Sequence, residues 1–108
     1  MFDTTQKSRG LEFARSLATR DYAQAYSMLS SNSQSRISLD NLRDQFEAMI
    51  PLDWGEVDPI ELQESPAWDE IFLYVVLGGS MYSEAIIITS FANESGEEKL
   101  EAFEFGRQ

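Results

Sequence analysis

A chain of 108 residues that is 43% hydrophobic is the size and make-up of one folded domain, residues 1–108, rather than of a disordered segment. It contains no Cys and no His, which excludes a disulfide framework, metal sites built on thiolate or imidazole, and Cys- or His-based nucleophilic chemistry. The net charge of −11 is one-sided: residues 1–50 hold six acids and six bases, and residues 51–108 hold thirteen acids with only Lys99 and Arg107. This argues against nucleic acid and anionic membrane as partners, because both need a basic footprint. It favours a basic protein partner steered by long-range attraction. The plainer reading is that the acids keep a small protein in solution.

In chain order, Met1 to Gly10 is polar and lacks the apolar core of a signal peptide. No stretch approaches the ~18 apolar residues of a membrane span, so a cytoplasmic protein is expected. Asp3 with Gln6 three residues on reads as a helix start. Leu11, Ala14, Leu17 and Ala18 then repeat at helical spacing, which predicts a first helix over about 4–19. Asp21 is placed to cap a second, shorter helix with Tyr22, Ala25, Tyr26 and Leu29 on one face. The run Ser30-Ser31-Asn32-Ser33-Gln34-Ser35 reads as a loop by composition. Ser38 caps a third helix with an apolar stripe of Leu39, Leu42, Phe46, Met49 and Ile50, stopped by Pro51.

From there the period becomes strand-like. Val57, Ile60 and Leu62 predict a first strand, bent near Pro59, and Glu64-Ser65-Pro66 a turn. Trp68 to Leu77 is a second strand, with Gly78-Gly79 as a hairpin turn. Met81 to Phe91 is a third, in which Ala85, Ile87, Thr89 and Phe91 alternate with Tyr82, Glu84, Ile86 and Ile88. Asn93-Glu94-Ser95-Gly96 turns the chain into Leu100 to Phe105. A regular strand there puts Phe103 and Phe105 on one face and Leu100 and Ala102 on the other. The expected class is α+β: three N-terminal helices on one face of a curved antiparallel sheet of about four strands.

The segment from Phe13 to Ser30, with Asp21-Tyr22-Ala23-Gln24-Ala25-Tyr26 at its centre, resembles the opening of nuclear-transport-factor-2-like domains. The resemblance covers most of the chain as an order of elements, and the first 50 residues carry it. It implies helices closing a strongly bent sheet into a cone. Such domains include isomerases, dehydratases, small-molecule binders, transport adaptors and bacterial immunity proteins that neutralise toxins. The ending Phe103-Glu104-Phe105-Gly106-Arg107 is loosely similar to the last strand of some immunity members.

Two functions from different classes follow. The first is a non-catalytic acidic protein-binding module, most concretely an immunity protein blocking a basic toxin domain. Its surface would come from Asp53, Trp54, Glu56, Asp58, Glu61, Glu64, Trp68, Asp69, Glu101 and Glu104, with the tryptophans as anchors or as core plugs. The second is a small-molecule-binding or ketosteroid-isomerase-like cone with a carboxylate inside it. Its pocket candidates are Tyr22, Tyr26, Tyr74, Tyr82 and Glu84, and no spacing among them singles out a catalytic pair. Tyr22 and Tyr26, four apart on a helix, are more often core. A space filled by Phe72, Tyr74, Phe103 and Phe105 would dispose of the second reading. No cofactor or metal is expected, since no calcium-loop spacing or glycine-rich phosphate cradle occurs. A homodimer through the open sheet face fits either function.

Overall fold

The structure, a computed structural model, describes residues 4–51, 60–65, 72–78 and 83–107, with side chains over 4–51 and 86–105. Helix α1 spans Thr4–Ala18 and buries Gly10, Phe13, Ala14 and Leu17, the spacing of one helical face. Helix α2, Tyr22–Ser27, starts at the Asp21 cap, whose carboxylate accepts from the Gln24 amide at 3.2 Å. Ser31–Arg36 forms α3. Helix α4, Leu39–Met49, starts at the Ser38 cap, whose hydroxyl accepts from the Asn41 amide at 3.1 Å, and buries Leu42 and Phe46.

The expectation of three helices with a loop over 30–35 is therefore corrected. Ser30 is itself an N-cap, and its hydroxyl accepts from the Ser33 amide at 3.1 Å. A serine run lacks helix propensity because its hydroxyls compete for backbone groups. Here capping and outside partners, described below, override that weakness.

The chain between α1 and α2 turns through a Schellman arrangement. The Arg20 amide donates to the Leu17 carbonyl at 3.0 Å and the Asp21 amide to the Ser16 carbonyl at 2.8 Å. Arg20 sits at φ 65°, where glycine is usual. Its side chain supplies the compensation by capping the end of α4. It donates to the Ile50 carbonyl at 3.0 Å and the Pro51 carbonyl at 3.5 Å, and stacks 5.1 Å from the Phe46 ring centre.

Strands β1 (Ile60–Ser65), β2 (Phe72–Gly78), β3 (Ser83–Glu94) and β4 (Glu97–Arg107) pair antiparallel in that order. Val57, Pro59, Pro66, Gly79 and Met81, where the sequence pattern places a strand start, a bend and turns, lie outside the described residues. The helices pack on the antiparallel β3–β4 hairpin, so the protein is α+β as expected.

The hairpin is irregular where the alternation predicted regularity. Ile88 faces Phe103, Ser90 faces Ala102 and Phe91 faces Leu100, which leaves Thr89 extra on β3 and Glu101 extra on β4. Each bulge shifts the pleat by one residue. Leu100 is fully buried, and Phe103 and Phe105 pack against the same core, so the expected division of these residues between two faces is wrong. Phe91 likewise packs on the core that buries Ile86 and Ile88. A run of edge-to-face rings joins the layers: Phe13 to Phe103 at 5.2 Å, Phe103 to Phe105 at 5.7 Å, Phe105 to Phe46 at 5.9 Å and Phe46 to Tyr22 at 6.3 Å.

Two outcomes follow. Leu100→Ala should cost about 2–5 kcal/mol in urea unfolding, as a buried leucine does, whereas a solvent-facing position would give about 0.5 or less. The tight turn of β3–β4 carries Ser95 at φ 53° and Gly96 at φ 82°. Asn-Gly is the preferred pair for such a turn, so Ser95→Asn should stabilise by about 0.5 kcal/mol and Gly96→Ala should destabilise by about 1 kcal/mol. A Cβ at Gly96 meets no atom within 4 Å, so that loss is conformational rather than steric.

Candidate functional site

A polar seam joins the tip of the hairpin to the serine-rich helix. Glu94, at the end of β3, accepts from the Ser31 amide at 2.9 Å and the Ser31 hydroxyl at 3.1 Å. Glu101, at the β4 bulge, accepts from the Ser30 hydroxyl at 2.5 Å and the Asn32 amide group at 2.6 Å. Arg36, in the last turn of α3, donates to the Glu101 carbonyl at 2.9 Å and lies 3.7 Å from its carboxylate. The backbone adds a parallel bridge: the Leu100 amide donates to the Met28 carbonyl and the Ser30 amide to the Leu100 carbonyl, each at 2.9 Å. Lys99 donates to the Ser27 carbonyl at 3.0 Å, which caps the end of α2.

Beside this seam lies an open groove of about 210 Å³. Ser33, Arg36 and Ile37 form one wall, Gln45 of α4 another, and Glu101 to Phe103 of β4 the floor. Among the residues expected at a site, Glu101 is the one the structure brings to this groove. Its carboxylate is already engaged within the fold. Glu104 is exposed and opposes Ile87 in the β3–β4 register.

The pocket candidates on α2 do not meet here. The Tyr22 hydroxyl donates to Glu47 at 2.8 Å and receives from Arg20 at 3.3 Å. Burial raises its pKa above 10.0, opposed by the hydrogen bond from Arg20 and assisted by Glu47. The Tyr26 hydroxyl lies 3.0 Å from the Gln34 carbonyl and 2.9 Å from that of Ile37, to which it donates, fastening α2 to α3.

For four expected residues the structure describes the backbone. Glu61 pairs with Val76, Glu64 with Leu73, Tyr74 with Gln63 and Ile87, and Glu84 with Leu77 and Arg107. Asp53, Trp54, Glu56, Asp58, Trp68, Asp69 and Tyr82 lie outside the described residues. Among the described residues no group of three or more His, Cys, Asp or Glu is placed to hold a metal ion, and no helix is long and apolar enough to cross a membrane.

Ser33, Arg36 and Gln45 were missed as site residues. Their signal is weak in the chain: Ser33 and Arg36 come together only once the serine run is helical, three residues apart on one face. No family model, curated protein or solved structure matches the chain.

The seam sets a pH dependence. Glu101 is held below its ordinary value of 4.5, first by the Ser30 hydroxyl and then by the Asn32 amide; burial opposes this, and the Arg36 charge adds a smaller pull. A lowered folded-state value means the stabilisation is complete above 4.5 and is lost as pH falls through the lowered value. The melting temperature of Glu101→Gln should therefore lie below that of the parent at neutral pH, with the gap closing in acid. A gap that ignores pH would remove Glu101 from this role. Ser30→Ala loses both a cap and the donor to Glu101, and should cost about 1–2 kcal/mol in chemical unfolding.

Proposed function

We propose that the chain is a non-catalytic acidic protein-binding module, most concretely an immunity protein that neutralises a basic toxin domain. It would do so from a nuclear-transport-factor-2-like cone of helices on a bent four-stranded sheet. The carrying observation is the net charge of −11, whose whole excess lies beyond residue 50. Pairing within the helices supports it. Arg9 lies 3.3 Å from Glu12, and Arg43 lies 3.5 Å from both Asp40 and Asp44, so these two bases serve acids of their own helices. The acids of the second half outnumber the bases available to them.

Two further observations favour a protein partner over a small molecule. Phe103 and Phe105 fill space between hairpin and helices through contacts with Phe13 and Phe46. Among the described residues, the groove beside the seam, about 210 Å³, is smaller than the roughly 300–1,000 Å³ of ordinary small-molecule sites. In this mechanism the acidic sheet edges cover the toxin's basic track, with Glu61 and Glu104 among the contacts and Trp54 and Trp68 as anchors.

The test is capture from the native host's lysate at low and high salt, followed by association kinetics with the captured protein. A basic partner released by salt is expected. Glu61→Lys with Glu104→Lys should slow association on the order of tenfold without lowering the melting temperature. Salt-insensitive capture, or an unchanged association rate, would contradict the acidic-surface mechanism. Glu101 is unsuitable for charge reversal, because the fold uses its carboxylate.

A further inference from the structure

The groove beside the seam has a specific set of unmet contacts. Ser33 is only 4% exposed. Its amide donates to the Ser30 hydroxyl and its carbonyl accepts from the Ile37 amide, but its own hydroxyl has no partner among the described residues. A buried hydroxyl in that state calls for an explanation. Arg36 engages Glu101 through one terminal nitrogen, and its side chain is 58% exposed, so the rest of the planar guanidinium is open. Ile37, Ala102 and Phe103 supply the apolar lining.

The charges in the groove select against ions. Arg36 and Glu101 cancel, so the lining is formally neutral. A cation meets the guanidinium, and an anion meets a carboxylate on a protein of net charge −11. What remains is a neutral group with a flat apolar body and one polar tip. About 210 Å³ is the scale of one large side chain rather than of a whole ligand.

We infer that the groove receives a tyrosine side chain of the protein partner, its ring against Phe103, Ile37 and the Arg36 guanidinium and its hydroxyl on the Ser33 hydroxyl. The phenol supplies each missing contact: an aromatic face for the cation, apolar area for the lining and a hydrogen-bonding tip for the buried oxygen. Tyrosine is also among the residues that dominate interface energetics. The inference rests on the reading of the chain as a protein-binding module.

The groove can be tested without the partner. The whole chain, labelled with ¹⁵N, is titrated with N-acetyl-tyrosinamide, N-acetyl-phenylalaninamide and N-acetyl-argininamide. The tyrosine probe should shift the amides of Ser33, Ile37, Ala102 and Phe103 and bind several-fold more tightly than the phenylalanine probe. The arginine probe should leave those amides unmoved. Ser33→Ala should abolish the preference for tyrosine over phenylalanine. Arg36→Lys, which keeps the charge but loses the planar stack, should weaken both aromatic probes. No response at the groove, an equal response to the arginine probe, or a preference that survives Ser33→Ala would overturn the inference. A captured partner should leave both variants faster than it leaves the parent chain. If it is held unchanged by variants that no longer bind the probe, the groove is outside the interface; the tyrosine inference then fails while salt-sensitive capture leaves the module reading standing.

Discussion

The pair of offset bulges in the β3–β4 hairpin is the constraint on which the rest of this fold depends. In a regular strand Leu100 and Phe103 point to opposite faces. The extra residue Glu101 lets both serve one core, and the extra residue Thr89 does the same for Ile88 and Phe91 across the ladder. Thr89 also donates its hydroxyl to the Ala102 carbonyl at 3.2 Å, so a backbone group at the irregularity gains a partner. Without the shift, either Leu100 or the phenylalanines would leave the core that Phe13, Leu17 and Phe46 form above the hairpin.

The same bulge frees the Glu101 carboxylate to reach sideways to α3. That contact and the one from Glu94 explain how a six-residue, serine-rich helix persists: short helices are marginal alone, and this one is held at its start by Ser30 and by two carboxylates from the hairpin. Carboxylates near a helix start also complement its dipole. The Met28–Ser30 backbone then lies along β4 at Leu100, so this part of the strand edge is covered.

Much of the helical layer was legible in the sequence. Asp21 and Ser38 announce their helices as caps, and the apolar spacings of α1 and α4 mark their buried faces. The α+β class follows from the switch from helical to alternating period. Helix α3 was not legible, because beyond its Ser30 cap the carboxylates that hold it are more than sixty residues away in the chain. The faces of β4 were not legible either, since no local residue type announces a bulge at Glu101. Tyr22 and Tyr26 illustrate the remaining ambiguity: their shared helical face is plain in the sequence, but that their hydroxyls bind Glu47 and two carbonyls is decided by the packing. Arg20 in a left-handed conformation is a further tertiary effect, since its guanidinium reaches Ile50.

For function, the seam divides the acids of the hairpin into two groups. Glu94 and Glu101 hold the fold, whereas Glu104 is exposed. The serine segment also forms one wall of the groove, so an ordered site and an ordered helix are the same event. Amide hydrogen exchange across Ser30 to Ile37, in the parent chain and in a Glu94→Gln, Glu101→Gln double variant, tests this dependence most directly. Slow exchange at Ser30, Ser33, Gln34 and Ile37 in the parent, becoming fast in the variant while Phe46 and Ile50 stay protected, is the expected result. Exchange at unstructured-chain rates in the parent, or protection indifferent to the two carboxylates, would contradict it.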